Sequence, residues 1–132
     1  MLVWLLPQKE DKTKKEVRRV KVLLTNAFSI QMLKSSEVEV SFRKVEAHRV
    51  TAVVHNAART ETEFVSAIGH ADTAAVVGST LGLELEANRE NIALEENDVL
   101  FVAQLKGGRL PEGSTTLPEG FNIEFWQVQI IR

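Results

Sequence analysis

The stretch Phe64-Val-Ser-Ala-Ile-Gly-His-Ala-Asp-Thr-Ala-Ala-Val-Val-Gly78 reads as a strand, a tight turn and a helix. Phe64 to Ile68 is short, apolar and bounded by turn signals, the pattern of a buried strand. Gly69, which has no Cβ, permits the turn. Asp72 or Thr73 is expected to cap the helix that follows. Ala74, Ala75, Val76, Val77 and Leu81 supply its apolar face, and Gly82 ends it. His70 then stands at a helix N-terminus, where free backbone N–H groups and the helix dipole favour an anion such as phosphate. A histidine beside a phosphate is a candidate acid or base. A helix-capping loop with an incidental histidine is the plainer alternative, because this grammar recurs throughout α/β proteins.

Working outward, Arg19 to Leu24 is a strand in which Val20, Val22 and Leu24 alternate with outward positions. It runs through Thr25-Asn26-Ala27-Phe28-Ser29 into a short amphipathic helix, Ile30 to Leu33. Asn26 and Ser29 thus occupy a second strand-to-helix junction, placed either to cap or to touch a ligand. Val38, Val40 and Phe42 alternate as a further strand. Ala47, Val50, Val53, Val54 and Ala57 recur at helical spacing, against the β-branched character of the segment. Beyond the central unit, Leu83 to Glu86 is a short extended piece and Asn88-Arg89 a turn. Asn91 to Leu94 and Val99 to Gln104 read as paired strands joined by the acidic turn Glu95-Glu96-Asn97-Asp98. Lys106-Gly-Gly-Arg-Leu-Pro-Glu-Gly113 is a glycine-rich loop, Ser114 to Leu117 a helical turn, and Phe121 to Ile131 the last strand. The expected fold class is α/β: a single domain with a mixed sheet of about six strands and three helices. Such sheets bind ligands at the carboxyl ends of their strands. Asn26, His70 and Arg109 all follow such ends.

A chain of 132 residues suits one domain with a real core. The N-terminal extension, residues 1–18, pairs an apolar leader, Leu2 to Leu6, with a charged connector. The leader reads as an extra edge strand; the connector is either solvated or a basic arm that steers an anionic ligand. Residues 19–132 form the α/β domain. The leader is too short for a signal sequence, and no apolar run approaches membrane-spanning length, so a cytoplasmic location is expected. A net charge of −2 argues against a surface-wide nucleic-acid field and against DNA as partner. The absence of cysteine excludes thiolate chemistry and a disulfide framework. His48 and His55, seven residues apart, share a helix face without carboxylates at ligand spacing and read as surface residues, so no metal site is expected. Arg109 offers a fixed fork of donors to a phosphoryl oxygen, and Glu112, three residues on, can orient a histidine or accept a proton.

Four blocks together resemble the viral ring nucleases, the type III anti-CRISPR enzymes of archaeal viruses and phages, and their CRISPR-associated relatives. They are Leu24-Thr-Asn-Ala-Phe-Ser-Ile-Gln-Met-Leu33, Ser66-Ala-Ile-Gly-His-Ala-Asp-Thr-Ala74, Asn88-Arg89 and Gln104-Leu-Lys-Gly-Gly-Arg-Leu-Pro-Glu-Gly113. The chain departs from that family at Gln31, at Asp72 and in the length of the Gly107-Gly108 loop. The resemblance implies an α/β homodimer that binds cyclic tetra-adenylate and cuts it without a metal or other cofactor. It implies His70 as catalytic acid, Glu112 as its helper and Arg109 as a phosphate or transition-state contact. Asn26, Ser29, Arg89 and Gln104 match positions that line the ligand, with Asp72 and Thr73 beside them at the helix start. A sponge or sensor that binds the ring without cutting it is the alternative.

Overall fold

A computed structural model of the chain describes residues 20–131. Its elements are β1 (Lys21–Thr25), a 3-10 turn (Ile30–Met32), β2 (Val40–Val45), α1 (Ala47–Arg59), β3 (Glu63–Ser66), α2 (Ala71–Leu81), β4 (Val99–Lys106) and β5 (Asn122–Ile130). The five strands form one mixed sheet in the order β2-β5-β4-β1-β3. β1 lies parallel to both neighbours, with Val22 opposite Phe64 on β3 and opposite Val99 on β4. β5 runs antiparallel to β4 and to β2. β1, β2, β3 and β4 therefore point the same way, and their carboxyl ends share one edge of the sheet.

The strand period of two divides the core into two layers. On one face Val22, Leu24, Phe101 and Ala103 meet Val50, Val54 and Ala57 of α1 and Ala74, Val77 and Leu81 of α2. On the other, Leu23, Leu100, Val102 and Val128 are covered by Leu94 and partly by Phe28, Met32, Leu33 and Ile92. The α1 helix forms despite its valines because burial outweighs propensity. A valine in a helix costs less than about 0.7 kcal/mol relative to alanine, whereas fully burying a side chain such as Val50 contributes about 1.5–3 kcal/mol. Gly82 closes α2 in the left-handed conformation, φ 73°, as expected of a C-cap glycine.

Several sequence expectations are corrected. The described residues hold five strands rather than about six, and of the three expected helices the short one after β1 is a three-residue 3-10 turn. Asn91 to Leu94 is not a strand and makes no hairpin with β4. Leu94 instead bridges Leu33 in parallel and donates its N–H to Met32 O at 2.8 Å. The acidic turn is real, but it is organised by Asp98, whose fully buried carboxylate accepts N–H groups from Glu95 and from Lys21, both at 3.0 Å. That carboxylate joins the turn to the start of β1 and sends the chain straight into β4. Ser114 to Leu117 forms no helical turn; Ser114 N and Oγ both donate to Pro111 O, closing a tight turn over 111–114. The strand drawn over Phe64–Ile68 is Glu63–Ser66, and Ile68 enters the core from the loop beyond it. Leu83 to Glu86 pairs with no strand, and no turn forms at Asn88-Arg89. The edge strand expected over Leu2 to Leu6 lies outside the described residues.

Candidate functional site

Two segments build the site at the carboxyl edge of the sheet. The first is the β3–α2 junction. Ala67 N–H donates to Leu24 O at 2.7 Å, so the parallel pairing continues one residue past β3. Asn88 clamps the same segment: its Nδ2 donates to Ser66 O at 2.7 Å and its N–H to Ile68 O at 2.9 Å. Arg89 Nε donates to Gly69 O at 3.0 Å. No tight turn forms at Gly69; a Cβ there would stand 3.0 Å from Arg89 Cγ, so glycine leaves room for the arginine to lie across the β3–α2 loop. The chain then reaches His70, which is the N-cap residue of α2, with extended φ/ψ and no side-chain bond to the helix. Asp72 and Thr73 were expected to cap and do not. Both lie inside the first turn, because helical geometry begins at Ala71. The His70 ring is left exposed at the helix start.

The second segment is the β4–β5 loop. Gly107 and Gly108 take φ of 124° and 122°, a region closed to other residues, and a Cβ at Gly107 would come within 2.9 Å of Phe121 Cα. The turn directs Arg109, Leu110 and Glu112 back toward α2. Gly113 N–H donates to Asp72 Oδ2 at 3.0 Å, across 41 positions of sequence. His70, Asp72, Thr73, Arg109 and Glu112 thereby line one open cleft of about 770 Å³, floored by Leu105 and Leu110. The arrangement supplies an imidazole, a guanidinium, a carboxylate and the backbone N–H groups of a helix start, which are groups able to bind a phosphodiester and move a proton on it.

The other expected ligand contacts are not gathered there. Asn26 and Gln104 line a second cleft of about 410 Å³ with Phe28, Phe42, Val102 and Trp126, on the face opposite α1 and α2. Phe28 and Phe42 meet edge to face there, with centroids 5.4 Å apart. Ser29 caps the 3-10 turn, accepting Gln31 N–H at 3.2 Å, and lines a smaller cleft with Thr25, Glu90 and Asn91. His48 and His55 are exposed on α1, as read from sequence. A cleft of about 350 Å³ near Leu33, Val38 and Ile130 lies at the opposite end of the sheet and carries none of these groups. Among the described residues, no three His, Asp or Glu side chains converge as metal ligands would. None of their helices is long and apolar enough to cross a membrane.

Beside the loop's root, Glu124 joins three strands. It accepts Trp126 Nε1–H at 3.2 Å and pairs with Lys44 at 3.3 Å and Lys106 at 3.4 Å. The Trp126 bond foremost, then the two ammonium groups, hold its carboxyl below the ordinary value against the opposing effect of desolvation. Sequence reading missed this hub, the Asn88 clamp and the Asp72–Gly113 link. Each joins residues far apart in the chain, and local pattern carries no signal for such pairs.

These features define a small mixed α/β protein with a polar cleft at the carboxyl ends of parallel strands. The chain belongs to the STIV B116-like family, a viral protein family whose model matches residues 22–125. Among solved structures it is similar to B116 of Sulfolobus turreted icosahedral virus (STIV), with 28% identity and a TM-score of 0.69 over 83% of this chain and 98% of that one. No curated protein matches. The family match includes every residue of the candidate site; the extension over 1–18 falls outside it.

Proposed function

We propose that the protein is a metal-independent ring nuclease that cuts cyclic tetra-adenylate and so silences type III CRISPR signalling in the host cytoplasm. The observation that carries this reading is the meeting of His70, Arg109 and Glu112 in one cleft at a helix N-terminus. RNA brings its own nucleophile. The 2′-oxygen attacks phosphorus, the 5′-oxygen leaves, and a 2′,3′-cyclic phosphate results. The enzyme's task is to hold that line of attack and protonate the leaving oxygen. His70, as imidazolium, donates the proton. Glu112 orients His70 or takes the hydroxyl proton. Arg109 and the start of α2 stabilise the phosphorane charge. A four-membered ring has two-fold symmetry, so a C2 homodimer would present one His70 to each of two opposite phosphates and release linear di-adenylate.

The test is incubation with cyclic tetra-adenylate in EDTA, with products identified by mass and the dimer followed by sedimentation. Linear di-adenylate ending in a 2′,3′-cyclic phosphate is expected. Cleavage only after divalent ion is added refutes the metal-free step. A ring bound but uncut identifies a sponge, and a ring neither bound nor cut removes the reading altogether.

A further inference from the structure

The loop that carries Arg109 and Glu112 is long, and its internal bonds are local: Ser114 to Pro111 and Phe121 to Pro118. Among the described residues, one hydrogen bond ties residues 108–120 to another element, the Gly113 N–H donated to Asp72 Oδ2 at 3.0 Å. Its position is informative. Gly113 directly follows Glu112, and its φ of 82° is a conformation glycine tolerates best. Asp72 stands two residues beyond His70, in the first turn of the helix whose start presents that histidine. A carboxylate there is stabilised by the helix dipole and accepts from a backbone N–H more strongly than a neutral group does.

We propose that Asp72 is a positioning residue whose carboxylate latches the Arg109–Glu112 loop to the start of α2, setting these two groups against His70. The inference rests on the ring-nuclease reading above. Asp72 touches the loop backbone and not the reacting atoms. Its place at the helix start lets a single bond fix the distance between the two halves of the site. Asparagine at this position retains an oxygen acceptor of the same reach, whereas alanine retains none.

The test compares Asp72→Asn and Asp72→Ala in single-turnover cleavage of cyclic tetra-adenylate, alongside amide hydrogen exchange at Gly113 in the free protein. Asp72→Ala is expected to slow cleavage about ten- to a hundredfold, the usual consequence of small misplacements of catalytic groups. It is also expected to speed exchange at Gly113 about tenfold, as loss of one charge-assisted bond implies. Asp72→Asn should stay within about threefold of the parent in both measurements, since it keeps the acceptor. A general loss of folding would slow both variants together and would show in their melting temperatures. Wild-type cleavage by Asp72→Ala, an asparagine variant as slow as the alanine one, or unchanged exchange at Gly113 in both variants overturns the proposal. If the parent protein cuts no ring, the ring-nuclease reading fails on its own, and the exchange data alone decide whether Asp72 holds the loop.

Discussion

Replacing His70 by alanine separates folding from the proposed chemistry, and the structure sets the first magnitude. The ring is exposed and makes no capping bond, so its removal leaves no backbone N–H newly unsatisfied. Loss of a true N-cap side chain costs about 0.5–2 kcal/mol; without such a bond, the cost should stay below about 0.5 kcal/mol. For a domain of this size that shifts the melting temperature by about 2 °C or less. The chemical effect is of another order. General acid catalysis contributes about 10²- to 10⁴-fold, equivalent to about 2.7–5.4 kcal/mol on the barrier. On the proposed reading, binding would be shared among Arg109, the helix N–H groups and the other contacts, so ring affinity should change by about tenfold or less, about 1.4 kcal/mol. Thermal melting, ring titration and single-turnover cleavage read the three quantities separately. His48→Ala and His55→Ala, both on the exposed side of α1, should alter none of them. Normal cleavage by His70→Ala would refute the assignment. Equal loss of binding and cleavage would make His70 a ligand contact and pass the proton donor's role to Glu112.

Three further outcomes are expected. Arg109→Lys should cleave more slowly although charge is kept, because an ammonium cannot make the two-pronged contact of a guanidinium; an unchanged single-turnover rate would exclude Arg109 as the phosphate clamp. Gly78→Ala should destabilise despite the roughly 1 kcal/mol that alanine gains in a helix interior. The new Cβ would stand 2.6 Å from Leu83 O, and overpacking of this kind costs about 1–3 kcal/mol, so the urea midpoint should fall rather than rise. Glu124, with its pKa lowered first by Trp126 and then by Lys44 and Lys106, stabilises the fold above its ordinary value of 4.5. That contribution disappears as pH falls through the lower folded value, so the difference in melting temperature between the parent and Glu124→Gln should be largest near neutral pH and shrink below pH 4.5; a constant difference across acid pH would show that the carboxylate's ionisation is irrelevant.

What was legible in the sequence follows from how far apart the interacting residues lie. The β3–α2 unit could be read because its signals are local: an apolar strand, Gly69, an apolar helix face and the αL glycine at 82. Its details failed where local grammar was ambiguous. Asp72 resembles a cap in type, but cap position is decided by where φ/ψ becomes helical, and that happens at Ala71. The false hairpin had the same origin. Asn91 to Leu94 is apolar enough to read as a strand, yet Leu94 is held by Met32 and Leu33, far away in the chain, and the buried Asp98 fixes the turn for β1 rather than for a hairpin partner. The site shows the converse. His70, Arg109 and Glu112 were identified from short blocks, and their meeting is implied by the family resemblance of those blocks but not by any local pattern within them. Their meeting follows from the order β4-β1-β3, which brings two carboxyl ends to one edge with β1 between them, and from a loop long enough to cross that edge back to α2. Asn26, just past β1, and Gln104 on β4 line a cleft on the opposite face. A ligand that engages all the expected residues must therefore wrap the edge of the sheet or draw its remaining contacts from a second copy. The proposed C2 dimer would supply the second, which makes the oligomeric state the measurement most tightly coupled to the site.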